Sequence, residues 1–364
     1  MKISVFASIG AQNLGDELIL KNEIKILEEK YSKKLNIDKK DIIFNIFTYD
    51  LKNNFYISDN VEYIEYFPID IKKIKNIFRN IFNFLNFLKI TIQSDLVFIG
   101  GGGIIYDNEL QSVGNPLKQW LFRTNIFKVF NKKVEFFRVG INIKNNKNLD
   151  LVKNIFSCAS EISVRDKYSF NLLQKLNFNN IELLEDPVFS DRDFKNNPNP
   201  LSGDINKKYL ISDLKISELN VQNIKNIIKN NNINLEGKKI GLSLRRQNIK
   251  DYKKNILEII KHFLENKSEI ILIPHSFHKT DELANDYIFF QEINGFLSTE
   301  GFSPLNICKT MQESYNIYTN KKIDLNLASR LHSIILSQVY EIDFISISYS
   351  TKTDEVISYL SNQN

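Results

Sequence analysis

Short apolar runs recur along this chain, and between most of them lies a stretch with helical period. KISVFAS (2–8), IIFNIFT (42–48), DLVFIG (95–100), KVEFFRVGI (133–141), EISVRD (161–166) and IELLED (181–186) read as strands. Helical stretches such as Glu17 to Lys33, Pro116 to Asn131 and Lys167 to Leu176 lie between them. The pattern breaks at SDRDFKNNPNPLSGDINKK (190–208), which is polar, carries Pro198 and Pro200 and has no period, so a linker or long surface loop is expected over 191–208. It resumes with KKIGLSLR (238–245), EIILIPHS (269–276), KIDLNLAS (322–329) and DFISIS (343–348), and ends on the helical TDEVISYL (353–360). Strands that are apolar throughout must be covered on both faces, and the alternating helices can do that, so the class is α/β with parallel sheets. The expected organisation is a Rossmann-like domain over 1–190, a second over 209–350 and a C-terminal helix over 351–364, with a cleft between the domains.

Composition narrows the function classes. A chain of 364 residues with 43% hydrophobic and 25% charged content can build full cores. Lys and Arg exceed Asp and Glu by 48 to 43, a mild bias without basic blocks, so no nucleic-acid partner is expected. Cys158 and Cys308 stand alone, which suits a reducing, cytoplasmic setting and offers no zinc spacing. MKISVFASIGAQNLGDE is broken too early by Gln12, Asn13 and Asp16 for a leader, and reads as a first strand. No run is long enough to span a membrane. IDIKKIKNIFRNIFNFLNFLKITI (69–92) places Ile74, Ile77, Phe78, Ile81, Phe82, Leu85 and Leu88 on one helical face, with Lys72, Lys73, Lys75 and Arg79 largely elsewhere. A core-packing helix is the first reading. A basic, aromatic-rich helix touching the inner face of an anionic membrane is the second.

In open α/β sheets ligands sit beyond the carboxyl ends of the strands, so those positions hold the candidate chemistry. GAQNLGDELIL follows the first strand. Gly10 and Gly15 have phosphate-loop spacing, but Asp16 and Glu17 stand where a Walker lysine would be needed. The two carboxylates suit a helix start, or the binding of sugar hydroxyls. FIGGGGIIYDN carries Gly100 to Gly103, a tight turn that lines the cleft, with Asp107 beyond it as a candidate base or a loop aspartate. Arg165 ends another strand, and Asp166 after it reads as a helix N-cap. Arg245 and Arg246 end GLSLRR. His275 and His278 lack a third metal ligand nearby.

LNLASRLHSIILSQV (325–339) turns an apolar strand straight into an apolar helix, with Arg330 and His332 at the junction in a chain of only four histidines. Arg165, Arg245, Arg330, His332 and Lys352 all fall at strand ends, and together they suit a small, highly charged anion. A helix N-terminus at Leu331–Ser333 would add N–H donors for phosphate.

NLGDELIL, GGGGIIYDN, SVRDKYSF, EDPVF, SRLHSIILS and STKTDEVISYL occur in the order found in the polysaccharide pyruvyltransferase family, which the chain resembles from residue 10 to residue 360. The resemblance implies a GT-B-like arrangement of two Rossmann-like domains. It also implies transfer of a pyruvyl group from phosphoenolpyruvate to a sugar diol of a cell-surface polysaccharide or its lipid-linked precursor, giving a cyclic ketal. By the same resemblance Arg165, Arg330, His332 and Lys352 match the phosphoenolpyruvate positions. The acceptor would lie by Asp16, Glu17 and Gly101, Gly102 and Gly103. Two arginines and a lysine can neutralise the donor's carboxylate and phosphate, His332 is the candidate acid and Asp107 the candidate base. No metal or organic cofactor is required. GAQNLGDE departs from the commoner Asn-Gly-Asp run, and IPHSFHKTD also departs, which leaves the acceptor open. The alternative is a GT-B glycosyltransferase using a nucleotide sugar, because fold alone does not fix function.

Overall fold

A computed structural model describes residues 1–67, 75–107, 115–192, 209–279, 281–349 and 351–361. Most of the expected 191–208 linker, the start of the 69–92 segment, and the side chain of Lys352 lie outside the described set. The chain divides into two compact units, one of residues 1–10 and 16–187, the other of residues 11–15 and 188–364.

In the first unit the strands are β1 (Lys2–Phe6), β2 (Ile43–Thr48), β3 (Val61–Glu65), β4 (Leu96–Gly100), β5 (Ile105–Tyr106), β6 (Val134–Val139), β7 (Ile141–Asn142), β8 (Glu161–Val164) and β9 (Ile181–Leu183). The helices are α1 (Leu14–Leu35), α2 (Lys75–Gln93), α3 (Pro116–Val129), α4 (Leu149–Phe156) and α5 (Lys167–Lys175). Seven strands form a parallel sheet in the order β3-β2-β1-β4-β6-β8-β9, and β5 and β7 pair separately. Alternate residues of the strands feed opposite faces, as the pleat requires. Ile3 and Val5 join Leu20, Ile24 and Phe44 in one core cluster. Phe6 joins Phe47, Phe87 and Phe127 in another, where Phe6 and Phe47 stack with ring centroids 4.4 Å apart.

Local chemistry sets the helix ends. Asp16 and Glu17 stand in the first turn of α1 and Lys33 and Lys34 in its last, complementing the helix dipole. Asn115 caps α3 ahead of Pro116, and Asp166 caps α5 by accepting from the Ser169 N–H at 2.7 Å. The 133–141 run is not one strand: Arg138 has φ +51°, the register with β8 shifts there, and Gly140 separates β6 from β7.

The face of α2 expected to pack into the core faces outward instead. Ile77, Phe78, Ile81, Phe82 and Leu85 are exposed, whereas Asn80, Asn83, Phe87 and Thr91 are buried. Phe84, Leu88 and Ile90 complete its inward contact. Ile74 lies outside the described residues.

The second unit holds β10 (Leu210–Lys215), β11 (Lys239–Ser243), β12 (Glu269–Leu272), β13 (Asn306–Ile307), β14 (Leu325–Ala328) and β15 (Asp343–Ser348). Its helices are α6 (Val221–Asn230), α7 (Tyr252–Glu265), α8 (Asp286–Thr299), α9 (Met311–Thr319), α10 (Leu331–Val339) and α11 (Thr351–Ser361). The strands are parallel in the order β10-β15-β14-β11-β12-β13. Its main core gathers Leu242, Leu272, Leu327 and Ile345 with Ile260, Phe263 and Phe290 from the helices. Asp191, expected to open the linker, is buried here and accepts from the Tyr315 and Tyr340 hydroxyls at 2.6 and 2.7 Å.

Candidate functional site

The strand order of the first unit reverses about β1, so the loops after β1 and β4 meet where such sheets bind ligands. Gly101 and Gly102 take φ of +69° and +83°, which a side chain would strain, and a Cβ on Gly102 would stand 3.2 Å from Asp16 Oδ1 and 3.6 Å from Ser8. Glu17 lies beneath, almost fully buried, and accepts from the Gly10 N–H at 3.3 Å. Burial, with smaller pushes from Asp16 and Asp50, raises its carboxyl to about 7 against the hydrogen bonds from Gly10 and Phe55. The expected acceptor residues Asp16, Glu17, Gly101 and Gly102 are thus brought together, with Gly103 adjoining in the same turn.

Two further residues, Glu23 and Arg138, stand at this position. Glu23, wholly buried, has its carboxylate against Gly100, where a Cβ would fall 2.7 Å from Oε2. Burial raises that carboxyl well above the ordinary range, opposed by Arg138 and Arg165 and assisted by Asp186. Arg138, also buried, is itself lowered by desolvation, with Glu23, Asp186 and Glu185 opposing. Arg165 donates to Asp186 at 2.6 Å, both nearly enclosed. Arg165 therefore belongs, in this unit, to a buried network of alternating charge under the glycine turn. An arginine inside the apolar run KVEFFRVGI was the available signal for Arg138; Glu23, in the middle of a helix, gave none.

Of the two readings of Asp107, base or loop aspartate, its contacts favour the second. Its carboxylate accepts from the backbone N–H groups of Lys144 and Asn145 at 2.9 and 2.8 Å and from Asn148 Nδ2 at 3.1 Å. Desolvation pushes its carboxyl up, but these bonds outweigh it and hold the group below its usual value. A carboxylate so occupied ties two loops together and is poorly suited to take a proton.

In the second unit the order reverses between β11 and β14, and the polar groups collect at that point. The Ser329 N–H donates to Ser243 O at 3.0 Å, and the Arg245 N–H to Ser329 Oγ at 2.8 Å, so the two strand ends are laced together. Arg245 reaches the Tyr349 hydroxyl at 3.4 Å with its guanidinium over that ring. Arg330 is the N-cap residue of α10 and His332 lies in its first turn. Asp286 grips Arg330 bidentately, with Nε to Oδ2 at 2.9 Å and Nη2 to Oδ1, and also accepts from the His275 and Ser276 N–H groups at 3.1 Å each. That pairing fixes the plane of the guanidinium. His275 is fully buried against the Tyr318 hydroxyl at 2.9 Å; burial, then Arg330 and His332, hold it neutral. Lys352 occupies the first turn of α11.

Residues 11–15 complete this unit. Asn13 bridges Ser276, the Leu14 N–H donates to His275 O at 2.8 Å, and the Phe277 N–H donates to Gln12 O at 2.9 Å. Gly15 lies so close against the His332 ring that a Cβ would have no room. The glycine of NLGDE is thus explained by the histidine of RLH, a pairing that spacing along the chain does not show.

Two parallel α/β units, each with charged groups at its switch point, make the class a ligand-binding α/β fold. A family model for polysaccharide pyruvyl transferase matches residues 13–351, and the chain belongs to that family of transferases. No curated protein is significantly similar to it in sequence. Among solved structures, a UDP-GlcNAc 2-epimerase from Methanocaldococcus jannaschii is similar over 100% of this chain and 92% of its own, with TM-score 0.52 and 13% identity. A putative UDP-N-acetylglucosamine 2-epimerase from Listeria monocytogenes is similar over 98% and 81%, with TM-score 0.52 and 10% identity. At such identity the likeness is one of fold, of the expected GT-B-like class.

Proposed function

We propose that the protein transfers the pyruvyl group of phosphoenolpyruvate to two hydroxyls of a saccharide, releasing phosphate and leaving a cyclic ketal. The observation that carries this reading is the convergence of Arg245, Arg330 and His332 at one switch point, on a helix N-terminus, in a chain of this family. Two guanidiniums and the first N–H groups of α10 match a donor that bears both a carboxylate and a phosphate. Lys352, at the start of α11, is the further cation in this reading.

The reaction begins when His332 protonates the donor's methylene carbon, which leaves C2 electron-poor. A sugar hydroxyl bonds to C2 and gives up its proton. The bond from C2 to the phosphate oxygen then breaks, phosphate leaves with that electron pair, and the second hydroxyl closes the ring with loss of its proton. The arginines stabilise the phosphate as it takes up charge. Asp16 and Glu17 are the acceptor-binding carboxylates, and one near 7 can exchange a proton with a hydroxyl at neutral pH. A lipid-linked saccharide and a free one both meet these requirements.

Calorimetric titration of phosphoenolpyruvate, beside UDP- and GDP-sugars, tests the donor. Saturable phosphoenolpyruvate binding is expected, weakened at least tenfold in Arg245→Ala and in Arg330→Ala. Among the described residues Arg245 meets the Tyr349 hydroxyl and pairs with no carboxylate, so its removal strands no buried charge, unlike that of Arg330. Binding of nucleotide sugars alone would make the chain a glycosyltransferase and overturn the reading.

A further inference from the structure

The outward face of α2 is an apolar stripe open to solvent among the described residues. Ile77, Phe78, Ile81, Phe82 and Leu85 are 44%, 78%, 53%, 63% and 57% exposed, and Ile92 continues the stripe at 50%. The helix is turned over relative to an ordinary surface helix, since buried Asn83 donates to Glu65 at 2.8 Å on the inner side. Phe122 of α3, 44% exposed, lies 6.2 Å from Phe84 and widens the apolar area. A monomer in water gains nothing from such a face.

Charge identifies what covers it. From Ile71 to Ser94 the sequence contains Lys72, Lys73, Lys75, Arg79 and Lys89 and no acidic residue. Lys89 is exposed along the same stripe. Arg79 is paired with Glu65, so the charge this helix itself adds beside its apolar stripe is that of lysines, with no acidic residue from 71 to 94. Such a stripe fits the interface of an anionic bilayer, where aromatic and aliphatic side chains enter the acyl boundary and ammonium groups meet phosphates. A second copy of this helix would set the same cations against one another. We infer that α2 docks the protein on an anionic membrane surface, lying in the plane of the interface. No helix among the described residues is long and apolar enough to cross a membrane, so the contact is peripheral. This surface stands apart from the donor chemistry and holds whichever sugar is the acceptor.

Vesicle co-sedimentation of the full chain tests it, with phosphatidylcholine alone and with one-third phosphatidylglycerol. The expected result is at least fivefold more bound protein on the anionic vesicles, falling to the neutral level when Phe78→Ser and Phe82→Ser are combined. Thermal melting should be unchanged, because both rings are exposed. A Phe82→Trp variant gives a second readout: a blue-shifted emission on adding anionic vesicles, against the buried Trp120 background. Equal recovery with all vesicles, or no shift at position 82, would overturn the inference. So would a dimer in sedimentation velocity that the Phe78→Ser, Phe82→Ser pair dissociates, which would make the face a contact between copies.

Discussion

Two side chains give the most direct access to the polar sites. Glu17 has a raised carboxyl, so its contribution to stability is fully present below about pH 4.5 and is lost as pH rises through about 7. A shift of that size corresponds to roughly 3 kcal/mol. Denaturant titrations should show Glu17→Gln gaining on the wild type between pH 5 and 8, by up to that amount, with no advantage at pH 4. Parallel profiles would mean that Glu17 ionises in its ordinary range. Gly15 offers a test of packing. Gly15→Ala drives a methyl into the His332 ring and should cost about 1–3 kcal/mol. In a His332→Ala background the same change should cost close to nothing. Additive losses would show that the two do not touch.

At the level of elements, the loop after β5 is tied to the loop after β7 by one carboxylate. Asp107→Asn replaces an acceptor oxygen with an amide that cannot accept from both N–H groups, so a loss of about 1–3 kcal/mol is expected. Transfer activity in the folded variant should stay within twofold, and a collapse of turnover at unchanged stability would restore Asp107 as the base. The α/β class, most of the strands and the N-cap at Asp166 were legible because period, apolar runs and capping chemistry are local. The edge strands β3 and β10 were not, since each is paired on one side only and lacks a buried apolar run. Three further things were not. Arg138 looked like part of a continuous strand because its positive φ leaves no mark in the pattern. The stripe of α2 has the same period whether it faces core or solvent, and only the partners of Asn83 reveal which. Arg330 was legible as a strand-end cation, but its clamp Asp286 comes from another helix and follows from tertiary packing alone.

At the scale of the molecule, the chain visits the second unit twice, briefly at residues 11–15 and then from residue 188 onward. Pulse-labelled hydrogen exchange during refolding should therefore protect the amides of β1 and β4 before those of Leu14 and Phe277. Simultaneous protection would show a single cooperative event. The same crossing matters during synthesis. Residues 11–15 are made before most of the first unit, yet the carbonyl of His275 that receives Leu14 is made only after the whole of that unit. A newly made chain must keep that stretch unclaimed until its partners emerge, so the loop that carries the glycine beneath His332 is assembled late. The proposed anion site is thus completed only after both units have been made, whichever of them folds first.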